Sequence, residues 1–139
     1  IQYPTHANPP TFHLAIESIL NTGDMTGIER RFLNIAFKKL TQNYLWFHRT
    51  QQGQGASSFR WRGLERDTGE IMLPSGLDDY PRASKHPHHD EHLDLLCWMI
   101  MASNRLDQVS KILNRYDLPH FKTIEDTLLG ALEGSSCQR

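Results

Sequence analysis

No apolar run in this sequence approaches the ~20 residues that a membrane-spanning helix requires. The longest extends only from Leu95 to Ala102. Excess charge of either sign is also missing, because 15 Lys and Arg stand against 16 Asp and Glu for a net charge of −1. That balance excludes a basic footprint for nucleic acid or for an anionic membrane surface. Cysteine is scarce: Cys97 and Cys137 do not make a disulfide framework. Cys97 lies inside the apolar run, so a buried free thiol is expected there. Repeats and strand–helix alternation are absent, and no secretory leader is visible. The chain opens on Ile1 rather than methionine, which fits processing, trimming or a start inside a longer reading frame.

What is present describes an ordinary globular segment, 139 residues long with 38% hydrophobic residues, enough for one domain or part of one. Asn8-Pro9-Pro10 breaks any earlier element, and Thr11 can cap a first helix running to about Asn21, with Leu14, Ile16, Ile19 and Leu20 inward. Asn21 to Asp24 reads as a turn. Thr26, with Glu29 three residues on, forms a capping-box signature for a second helix reaching about Thr50. Ile28, Phe32, Ile35, Leu40, Tyr44 and Phe47 recur near helical spacing and predict its inner face. A third helix is expected from near Asp90, with Leu93, Leu96, Cys97 and Ile100 inward and a break at Asn104 before Val109, Ile112 and Leu113. Thr123 to Leu132 reads as a last helix. Trp46 and Trp98, on helices, are expected in the core.

Between the second and third helices, from Gln51 to His89, nothing sustains a helical pattern. Phe59–Trp61 and Ile71–Leu73 could pair as a short hairpin across Asp67-Thr68-Gly69. Connections this long are uncommon in compact domains and are usually functional or disordered. The tryptophan, tyrosine and arginine within it favour order, so chemistry is expected there. The reading is all-α, about five helices with one long ordered loop at about 51–89.

The densest cluster of reactive side chains in that loop is Ser75-Gly76-Leu77-Asp78-Asp79-Tyr80-Pro81-Arg82. A glycosidase needs one carboxylic acid held protonated to donate to the departing oxygen. A neighbouring carboxylate raises a pKa, and a nearby arginine lowers one or orients the second acid. The same residue types also build plain turns and caps. Trp61-Arg62-Gly63 offers an aromatic face for a sugar and a guanidinium for hydroxyls, or alternatively an anchoring indole beside a solvated arginine. The histidines His86, His88, His89 and His92 beside Asp90 and Glu91 suggest a metal site. However, the zinc-protease motif requires glutamate directly after the first histidine, and here His89 follows His88. Zinc-type cysteine spacing is absent too, and a polar helix start is the reading retained, with no metal.

Five strings in order carry a family resemblance: His6-Ala7-Asn8-Pro9-Pro10-Thr11, Trp46-Phe47-His48-Arg49, Phe59-Arg60-Trp61-Arg62-Gly63, Pro74 to Ala83, and His92-Leu93-Asp94-Leu95 with Cys97-Trp98. Together they span about the first hundred residues, and the sequence resembles glycoside hydrolase family 63, the processing α-glucosidases. The resemblance implies an (α/α)6 toroid with the active site in loops at one end, and an inverting mechanism in which an acid and a base act from opposite faces of the sugar. It places the catalytic acid at Asp78, with Gly76, Asp79, Arg82, Trp61 and Arg62 as substrate-binding residues. It implies no metal or organic cofactor. The substrate implied is the terminal α-1,2-linked glucose of the precursor N-linked oligosaccharide, and the location is the endoplasmic-reticulum lumen, the membrane anchor lying outside this segment. No glutamate equivalent to the family's downstream base is found after Asp78. A twelve-helix ring needs roughly 200 residues at mean helix and loop lengths of ~12 and ~5. Residues 1–139 are therefore expected to be an internal fragment of the catalytic domain. The alternative is a truncated, catalytically inactive relative with a sugar-binding or structural role.

Overall fold

The computed structural model describes residues 7–62, 75–76, 91–115 and 120–136. Among these the chain is all-α, with helices α1 (Thr11–Leu20), α2 (Gly27–Thr50), α3 (Leu93–Leu113) and α4 (Phe121–Ser136). The one β feature among the described residues is an isolated antiparallel bridge between Gln52 and Phe59. Ile71–Leu73, the expected partner of Phe59–Trp61 in a hairpin, lies outside the described residues. Among the described residues, no helix is long and apolar enough to cross a membrane.

The start of α2 follows from local chemistry. The Thr26 hydroxyl accepts from the Glu29 N–H at 3.2 Å, and the Glu29 carboxylate accepts from the Thr26 N–H at 2.7 Å. Two of the orphan donors of the first turn are thereby satisfied, and hydrogen bonds from Thr26 hold the Glu29 carboxyl below its usual range. α1 differs from the expected pattern in that Thr11 is its first helical residue and Pro10 occupies the N-cap, without a side-chain cap.

α3 is the central element and packs against α1, α2 and α4. Leu33, Phe37, Leu40, Tyr44 and Phe47 of α2 meet Leu95, Met99, Ala102, Leu106 and Val109 of α3, and Phe121 and Leu128 of α4 complete the core. The Tyr44 and Phe121 rings meet edge to face, with centroids 5.8 Å apart, a favoured aromatic geometry. Arg105 of α3 reaches the Glu17 carboxylate of α1 at 2.6 Å. Trp46 and Trp98 are partly buried against this core.

Three expectations are corrected here. The break at Asn104 does not occur, and α3 runs unbroken to Leu113. Asparagine disrupts helices by bonding its own backbone, whereas the Asn104 amide donates to Glu125 of α4 at 2.9 Å and its oxygen accepts from Gln108 at 2.7 Å. The helix ends at Asn114, which adopts a left-handed conformation and lets the Arg115 N–H reach the Ser110 carbonyl at 2.8 Å.

The second correction concerns Cys97, which is an exposed free thiol; Leu93 is exposed as well. At about 100° per residue, Cys97 lies about 200° round the helix from both Leu95 and Met99, which face the core. The third concerns α2, where Ile28, Phe32 and Ile35 are 83%, 50% and 65% exposed, and α1, where Leu14 is 47% exposed. The apolar residues of α2 belong to two stripes, and the one beginning at Leu33 packs on α3.

Candidate active site

The polar architecture concentrates where α2 ends and α3 begins. Gln51, the C-cap of α2, is fully buried. Its backbone carbonyl accepts from the Arg60 N–H at 2.7 Å and its side-chain oxygen from the Arg62 N–H at 2.6 Å. The Arg62 guanidinium folds back onto α2, donating to the Thr50 carbonyl and, at 2.7 Å, to the Gln52 carbonyl. A cation at these carbonyls satisfies orphan acceptors and complements the negative end of the helix dipole.

Trp61 is the largest fully buried side chain. Its ring packs edge to face on Phe47, centroids 6.2 Å apart. Its indole N–H donates to the Asp94 carboxylate, and its backbone N–H to His92 Nδ1, both at 2.9 Å. The His92 N–H in turn donates to the Phe59 carbonyl at 2.8 Å. The residues on either side of segment 63–90 are thus joined directly to one another. The indole of Trp61 is enclosed in this arrangement, and the guanidinium of half-buried Arg62 is engaged with backbone.

The start of the carboxylate-rich string is held from another direction. Gly76 has φ 73°, a left-handed conformation that glycine adopts without steric cost. A Cβ at Gly76 would lie 3.4 Å from Pro9 Cγ, so the Ser75-Gly76 turn sits against the Asn8-Pro9-Pro10 segment. That segment is tied back by the Ala7 N–H, which donates to the Arg62 carbonyl at 3.2 Å. Beside Pro9 opens a cavity of about 280 Å³ lined by Asn8, Pro10, Phe12, Asn43, Trp46 and Phe47 among others. Aromatic faces interleaved with amides suit the apolar faces and hydroxyl edges of a sugar. Asp78, Asp79 and Arg82 lie outside the described residues, as do His86, His88 and His89. Among the described residues, no three His, Cys, Asp or Glu side chains converge as a metal site.

Two buried polar residues near this end went unnoticed in the sequence. Gln51 carries no signal beyond its place after a helix. His13 of α1, 1% exposed, has neither ring nitrogen in a well-formed hydrogen bond. Desolvation pushes its pKa down to about 4, although the nearby Asn43 amide opposes the shift. Its position three residues before Ile16, on the inward stripe of α1, was the available clue.

Comparison with known proteins supplies the family. The family described as glycosyl hydrolase family 63 C-terminal domain matches residues 1–134, and the chain belongs to that family. It is 36% identical over 130 residues to Alpha-glucosidase 2 of Arabidopsis thaliana, covering 85% of this chain and 16% of that protein. It is also 36% identical to mannosyl-oligosaccharide glucosidase GCS1 of the same plant, over 84% of this chain and 15% of that one. A probable mannosyl-oligosaccharide glucosidase of Schizosaccharomyces pombe is 30% identical over 81% of this chain and 19% of its own. The chain therefore spans about a sixth to a fifth of the length of these curated relatives.

Proposed function

We propose that this chain carries the general-acid segment of an inverting α-glucosidase that removes the terminal α-1,2-linked glucose from the precursor N-linked oligosaccharide in the endoplasmic-reticulum lumen. Asp78 is the acid. Its proton passes to the glycosidic oxygen as the bond from that oxygen to the glucose anomeric carbon breaks. A water oxygen bonds to the same carbon from the opposite face and loses its proton to a carboxylate base, so the configuration inverts. The base belongs to a part of the protein outside residues 1–139. Asp79 and Arg82 bind the glucose and orient the acid, while Trp61 and Arg62 support the substrate site from behind.

The observation that carries this reading is the seating of Gly76 in its left-handed turn against Pro9, two residues before Asp78 in sequence. It supports a defined start for the string that follows, near a cavity lined by aromatic rings and amides. The outward apolar stripe of Ile28, Phe32 and Ile35, with Phe12 and Leu14 on α1, supports the toroid, since isolated soluble proteins rarely leave such a surface open. Further helices of the ring cover it.

The test is Asp78→Asn in the full-length protein. Loss of a general acid costs on the order of 10²–10⁴ in turnover, with oligosaccharide binding, measured by titration calorimetry, largely retained. Near-normal turnover would move the acid elsewhere.

A further inference from the structure

Trp61, His92 and Asp94 form a set that neither the sugar nor the acid explains. In sequence, segment 63–90 lies between Arg62 and Glu91. Three hydrogen bonds join the residues flanking those two points: Trp61 N–H to His92 Nδ1, Trp61 Nε1–H to Asp94, and His92 N–H to the Phe59 carbonyl. A backbone N–H can only donate, so His92 Nδ1 must offer a lone pair and the ring is neutral at that atom. Trp61 is wholly enclosed and His92 is 7% exposed, so water cannot replace a bond that is lost, and each unmade one leaves a buried polar group unpaired. From Arg62 the tie continues through its carbonyl to Ala7, and the Asn8-Pro9-Pro10 segment that follows Ala7 seats Gly76.

We infer that His92, with Asp94, is a positioning residue for the reaction: through Trp61, Arg62 and Ala7 it holds the Pro9 seat of Gly76, two residues before the acid in sequence, without touching substrate. This rests on the proposed role of Asp78. Displacing a catalytic group by about 1 Å can cost on the order of 10²-fold in rate without weakening binding. Misplacing a proton donor matters only when the leaving group needs a proton.

The experiment compares full-length wild type, His92→Leu, His92→Asn and Asp78→Asn on the natural oligosaccharide and on α-glucosyl fluoride, whose fluoride departs unprotonated. For His92→Leu, kcat on the oligosaccharide should fall by roughly 10- to 100-fold, with KM little changed and turnover of the fluoride nearly retained. His92→Asn, whose side-chain oxygen can accept from the Trp61 N–H, should recover most of the loss. Equal losses on both substrates, or no loss on either, would overturn the inference, since a merely structural role lowers the active fraction alike for both. If His92→Leu does not accumulate, Asp94→Ala removes the acceptor of the indole and serves in its place. It should lose turnover on the oligosaccharide and not on the fluoride, and equal losses would overturn the inference as well. Asp78→Asn separates the two ideas: should it turn over the oligosaccharide normally, the acid assignment fails whatever His92 does.

Discussion

The two ends of α2 are held by different physics. At its N-terminus, Thr26 and Glu29 satisfy the first turn within four consecutive residues, and Ile28, Phe32 and Ile35 face outward. At its C-terminus, Tyr44, Phe47 and Gln51 are enclosed, and the carbonyls of Thr50 and Gln52 are met by Arg62. A terminus closed by neighbours in sequence forms wherever the helix forms. One closed by residues ten or more positions away exists only when the tertiary structure does, and what rests on it can be set to within a hydrogen bond. Described parts of four of the strings that carry the family resemblance, at Ala7, Phe47, Phe59 to Arg62 and His92 to Asp94, meet at this end.

The sharpest way to probe the enclosed end is through His13, which lies near Asn43. In the unfolded chain it titrates near 6.5, whereas in the fold its pKa is lowered to about 4. Between those values the unfolded state binds the extra proton. The stabilising contribution is therefore full above about pH 6.5 and is lost as pH falls toward 4. A shift of this size corresponds to about 3 kcal/mol. Thermal midpoints measured across that window should drop less steeply in His13→Leu than in wild type, and identical slopes would show that His13 does not carry the effect.

The open end gives the next largest effect. Ile28 is 83% exposed, and an exposed substitution usually changes stability by no more than ~0.5 kcal/mol. If ring helices cover this stripe, Ile28→Asp in the full-length protein buries a charge and costs about 2 kcal/mol or more. Denaturant unfolding measures the difference, and an unchanged midpoint would leave the stripe solvent-facing and weaken the toroid reading.

The smallest stability effect, with a larger functional one, is expected at Gly76. Alanine must hold φ near 73°, a strain of about 1–2 kcal/mol, and its methyl would touch Pro9. Turnover should fall more than the thermal midpoint suggests, because the strain relaxes by moving the turn two residues before Asp78. An unaltered kcat would separate the turn from the chemistry.

Parts of this arrangement were legible in the sequence because they are local. The all-helical class, the capping box, the extent of α2 and the loss of helical pattern after Thr50 all rest on groups a few residues apart. The inward faces of α2 and α3 were misread, since each helix carries more than one apolar stripe and spacing cannot say which meets a partner. Asn104 suggested a break because its amide could compete for backbone. Only α4, which supplies Glu125, removed that competition.

The sequence by itself determined the helical class, the start of α2 and, through the Ser-Gly-Leu-Asp-Asp-Tyr-Pro-Arg string, the family. Tertiary structure alone decided that Trp61 is enclosed, that Arg62 serves the Thr50 and Gln52 carbonyls, and that Trp61 bonds to His92 and Asp94. The physical reason is range. A cap or a period is fixed by neighbours along the chain, but burial and hydrogen-bond partners are fixed by whichever residues folding brings alongside. For Trp61 the hydrogen-bond partners lie more than thirty positions away.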